Sequence, residues 1–129
     1  MFVALQSRAL PESVVNADKA DGFVHVCEQG SLMFGSDRRE PTNYRPVVAV
    51  RNDGPRVVVL PCTTKDSTNF PDFFELNDQR VEWTRPSNGH SSFACCRYEV
   101  VAGTRLKGKI GVMPQPARIE LLTWLKSRY

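Results

Sequence analysis

Apolar residues in this chain come in short runs, and Pro, Gly and Asn break them at frequent intervals. That punctuation predicts a compact β-rich fold. FVHVC (Phe23 to Cys27) and SLMF (Ser31 to Phe34) read as strands around Glu28-Gln29-Gly30, and the polar stretch Gly35 to Asn43 reads as an exposed loop. PVVAV and RVVVL, joined by RNDGP, read as a hairpin, because Asp53-Gly54 is a strong tight-turn signal. FPDFFEL and QRVEW predict two further strands, Pro86-Ser87-Asn88-Gly89 a turn, and Ser91 to Val101 one long strand.

The period changes near the C-terminus. In ARIELLTWLKSRY, Ile119, Leu122 and Leu125 fall on one helical stripe, widened by Leu121 and Trp124. Pro114 and Pro116 suit the approach to a helix, and Lys126 and Arg128 suit its C-terminal end. One amphipathic helix after a run of strands must pack its apolar face on them, which gives a mainly β, β-rich α+β architecture and not a doubly wound one. Residues 1–20 are the hardest to read; Ala9 to Ala20 could form a short helix entered at Pro11-Glu12. They stand as a possible N-terminal extension to a single domain over 21–129.

Composition narrows this picture only slightly. The 129 residues are 41% apolar and 24% charged, enough for one domain with a hydrophobic core. A formal charge of +3 permits an acidic or nucleic-acid partner without demanding one. With neither a membrane-length apolar run nor the pattern of a secretion signal, the expectation is a cytoplasmic protein. Cys27, Cys62, Cys95 and Cys96 lack the CxxC spacing of a zinc or redox site and read as reduced, partly buried thiols, with no metal expected.

The chemistry starts from the strand period of two. In the predicted 91–101 strand, Cys95, Arg97 and Glu99 share one face; in the hairpin, Arg45, Val47, Ala49 and Arg51 share one face, as do Val59, Pro61 and Thr63. Taken singly these are ordinary features: an Arg and a Glu two residues apart usually form a solvated pair, and a strand-end Thr often bonds only its local backbone. His25, alternating with Val24 and Val26, and His90, in a predicted turn, read as satisfied or solvated side chains, with His90 an outside candidate for a base.

Taken together, RPVVAVRND followed by VVVLPCTT resembles the paired signature of the MazF/PemK/Kid toxin family, in which an Arg-Pro pair opens an apolar strand and a second strand ends in a Pro-x-Thr-Ser/Thr-like segment. CCRYEVV is similar to the family segment where an arginine and an acidic residue alternate, and the terminal amphipathic helix also matches. The likeness runs from Gly22 or Gly30 to Tyr129. Two registers place its first strand: one on Gly30-Ser31, the other on Gly22-Phe23 with Gly35-Ser36-Asp37 as the following loop. The acid is Glu99 where the Kid branch has Asp, and the hairpin linking Val50 to Val57 is shorter than the family's usual loop.

The resemblance implies an SH3-like small barrel with a C-terminal helix, forming a homodimer that cuts single-stranded RNA without a metal or other cofactor and is neutralised by an antitoxin. It implies catalytic roles for Arg45, Thr63, Arg97 and Glu99, and RNA contacts from Asp37, Arg51, Thr64 and Lys65. Such an enzyme needs no Ser or Cys nucleophile, because the RNA's 2′-hydroxyl attacks the adjacent phosphate. The protein supplies a base, a proton source and positive groups for the phosphorane. The alternative is a barrel that binds RNA or a protein target without cutting, as a gyrase poison of the related CcdB branch does. A third reading, a housekeeping β-domain, predicts the four side chains scattered over different faces.

Overall fold

The computed structural model describes residues 22–35, 44–64, 70–84 and 92–129. Asp37, Lys65 and His90, the turn at Pro86 to Gly89 and residues 1–20 lie outside them. The strands are β1 (Phe23–Glu28), β2 (Tyr44–Asp53), β3 (Arg56–Thr63), β4 (Phe73–Leu76), β5 (Glu82–Trp83), β6 (Ser92–Cys95), β7 (Glu99–Ala102) and β8 (Leu106–Val112); helix α1 spans Gln115–Ser127. They form an eight-stranded sheet in the order β4-β6-β3-β2-β1-β8-β5, with β7 also paired to β3. Every pairing is antiparallel. The fold is therefore mainly β with one C-terminal helix, as the residue pattern implied.

The central hairpin forms where the sequence places it. Asp53 pairs with Arg56, and Gly54 takes a φ of +64° in the turn between them, a conformation that costs a glycine little. The first strand starts at Phe23, directly after Gly22, in line with the second of the two registers. SLMF does not form a strand: Gln29–Ser31 make a 3-10 turn, and Leu32 N–H closes it onto the Gln29 carbonyl at 3.0 Å. The predicted 91–101 strand is also broken. β6 and β7 both pair with β3, but Ala94 faces Cys62 and Glu99 faces Val59, so Cys96, Arg97 and Tyr98 bend away from the ladder.

Two apolar clusters occupy the two faces of β1–β3. Val24, Val48, Val50, Val58, Leu60 and Cys62 pack with Met113, Ala117, Leu121, Leu122 and Leu125 in the larger one, which α1 covers. Full burial of side chains of this size is worth roughly 1.5–3 kcal/mol each. The helix turns Ala117, Leu121, Leu122 and Leu125 inward, whereas Ile119, expected on the buried stripe, is 43% exposed. The smaller cluster joins Cys27, Leu32, Val47, Ala49, Val57, Val59 and Val101 on the other face.

Candidate functional site

The candidate polar residues stand at the rim of the smaller cluster. Side chains alternate along a strand, so Arg45 projects with Val47 and Ala49 from β2, Thr63 with Val57 and Val59 from β3, and Glu99 with Val101 from β7. Three of the four predicted catalytic residues thus share one sheet face, on strands that are neighbours. Arg97 lies in the bend between β6 and β7 and is exposed; Thr63 is buried and Thr64, next along, is exposed. Among the described residues no three His, Cys, Asp or Glu side chains gather as a metal site.

Arg51 is not on that face. A register shift between Ala49 and Arg51 puts Arg51 across from Val58, where Ala49 is across from Val59, and one added residue reverses the alternation. Arg51 therefore sits near the hairpin tip, on the face of the larger cluster, six residues along β2 from Arg45 and so about 20 Å away.

The segment from Gln29 to Gly35 links the polar residues. Arg45 Nε donates to Gln29 Oε1 at 2.7 Å, its Nη1 donates to the Cys62 carbonyl at 2.9 Å, and the guanidinium carbon lies 4.8 Å from the centre of the Phe34 ring. Gln29 Nε2 donates to the Phe34 carbonyl at 2.7 Å, which folds the segment back on itself. Glu99 accepts the Met33 N–H through Oε1 at 2.8 Å and the Phe34 N–H through Oε2 at 2.9 Å. Phe34 thus touches both charged groups: its ring faces the arginine and its amide meets the carboxylate.

Burial fits these roles. Gln29 is only 8% exposed, so its two amide bonds satisfy a group that would be costly to leave unpaired. Burial pushes the Cys27 thiol up to about 11, with the Glu28 and Glu99 carboxylates adding to the effect. Burial drives the Cys62 thiol up too, against the pull of the nearby Arg45 charge. Neither thiol is prepared as a nucleophile. Gln29 carries no sequence signal of its own: it reads as part of a turn, and only the fold sets it beside Arg45.

A mainly β sheet with one helix packed across it, and a cationic and carboxylate cluster on the sheet's far face, defines a small β-rich α+β protein with a polar site at a strand end. No protein-family model and no curated protein matches the sequence. Among solved structures the chain is similar to the Mycobacterium tuberculosis toxin MazF-mt6, with a TM-score of 0.52 at 14% identity over 78% of this chain and 90% of that one. The fold is MazF-like.

Proposed function

We propose that this protein is a toxin-like endoribonuclease that cleaves single-stranded RNA without a metal. The observation that carries the reading is that Arg45, Thr63 and Glu99 share one face of neighbouring strands, Arg45 and Glu99 being joined through Gln29 and Phe34, with the exposed Arg97 on the adjoining bend. The fold likeness to a MazF toxin supports it. A housekeeping domain predicts these side chains scattered over different faces.

In the proposed reaction Glu99 takes the proton of the RNA's 2′-hydroxyl. Its carboxylate offers about four acceptor sites, and among the described residues the Met33 and Phe34 N–H groups take two of them. The 2′-oxygen attacks phosphorus, the bond to the 5′-oxygen breaks, and that oxygen takes a proton from solvent at the open Arg97 rim. The products are a 2′,3′-cyclic phosphate and a 5′-hydroxyl. Arg97 and Arg45 stabilise the phosphorane as charged donors, since a guanidinium holds its proton at neutral pH. Thr63 orients the phosphate with its hydroxyl, and Thr64 and Lys65 contact the flanking backbone. The proposal includes a homodimer, an antitoxin partner and a cytoplasmic setting.

The test is incubation of the purified protein with a long unstructured RNA in EDTA, with mapping of the ends. Discrete cuts ending in 2′,3′-cyclic phosphate are expected, reduced by about 100-fold or more in Arg45→Ala and Glu99→Gln. A folded protein, freed of any copurified antitoxin, that leaves RNA intact would replace this reading with the non-catalytic barrel that binds RNA or a protein target.

A further inference from the structure

The bend that carries Arg97 is gripped from outside the sheet. Cys96 donates its N–H to the Asp72 carbonyl at 3.0 Å, on the segment that leads into β4. The Cys96 carbonyl accepts the phenol of Tyr129 at 2.7 Å. On the other side of Arg97, the ring of Tyr98 packs against the ring of Tyr129 with centroids 6.1 Å apart. Tyr129 extends the end of α1, its N–H bonded to the Lys126 carbonyl at 3.2 Å. The same helix end is tied to the β4 approach by Trp124 Nε1, 2.9 Å from the Pro71 carbonyl, and by Arg128 Nε, 3.7 Å from Asp72 Oδ1.

Tyr129 thus holds both neighbours of Arg97 in the chain, while Arg97 itself stays exposed. We propose that Tyr129 is a positioning residue for Arg97, fixing the backbone of the bend so that the guanidinium meets the scissile phosphate in one orientation. The consequence for catalysis rests on the ribonuclease reading above. An exposed arginine on a loose bend still attracts RNA by its charge, but it spends little time in the geometry that stabilises a phosphorane. Loss of the brace therefore lowers kcat and leaves KM nearly unchanged.

Tyr129→Phe keeps the ring against Tyr98 and deletes the bond to Cys96. The expected result is a fall in kcat of about fivefold, the worth of one ordinary hydrogen bond, with KM within about twofold of wild type. The backbone order parameter of Arg97, measured by 15N relaxation, should drop from about 0.85 towards 0.6. In an Arg97→Ala background the same substitution should cost no further activity, because the two residues act through one another. Wild-type kcat and an unchanged order parameter in Tyr129→Phe would overturn the proposal, as would an undiminished fivefold loss in the Arg97→Ala background. A wild-type protein that cuts no RNA would remove the ribonuclease reading; relaxation would then decide alone whether Tyr129 orders the bend.

Discussion

Arg45 tolerates a half-buried position because the amide oxygen of Gln29, the carbonyl of Cys62 and the ring of Phe34 all receive its guanidinium. That arrangement depends on Gly35, which has a φ of +75° and where an added Cβ would lie 2.5 Å from Arg45 Nη2. Gly35→Ala is therefore expected to cost about 1–2 kcal/mol in urea unfolding and to lower RNA cleavage, since both the backbone and the arginine must shift. Gly30 has open space around it, so Gly30→Ala should stay within about 0.5 kcal/mol of wild type and serves as the control. An equal effect at the two glycines would show that Arg45 does not need the room. The Arg-Pro pair and the threonine at the next strand's end were legible in the sequence. Gln29 and Phe34 were not, because their value comes from a fold-back whose partners lie on other strands.

Among elements, the hairpin β2–β3 was the most legible, since its turn residues and both apolar runs are contiguous. The predicted 91–101 strand misled, because Phe93, Tyr98, Val100 and Val101 favour a strand on both sides of the break, while the break is held by contacts to Asp72 and Tyr129 that are remote in sequence. The helix shows a subtler limit. Apolarity alone puts Ile119, Leu122 and Leu125 on one stripe, but the packed face runs through Ala117, Leu121, Leu122 and Leu125. A small residue fits where the helix approaches the sheet, and hydrophobic periodicity gives such a residue little weight. Leu122→Ala should cost about 2–5 kcal/mol, whereas Ile119→Ala, at a position 43% exposed, should cost far less. Comparable losses in chemical denaturation would return Ile119 to the core.

For the whole molecule, the buried thiols make stability depend on alkaline pH. Burial raises Cys27 and Cys96 from the ordinary 9.0 to about 11. Between those values the unfolded chain ionises while the folded one does not, so the stability they contribute is whole below pH 9 and is lost as pH climbs to 11. Urea midpoints across that window should fall with pH, and less steeply in Cys27→Ala; identical slopes would show that Cys27 ionises alike in both states. The overall class, strands followed by one helix, could be read from periodicity, whereas the sharing of β3 by three partners could not. β3 meets β2 along one edge and β7, then β6, along the other. A strand with neighbours on both edges separates only when the whole sheet does. Thr63, at its end, therefore belongs to a fixed anvil, whereas the Gln29–Gly35 flap opposite is fastened to Arg45 and Glu99 by side-chain bonds. A ligand that displaced the flap would meet the anvil unmoved.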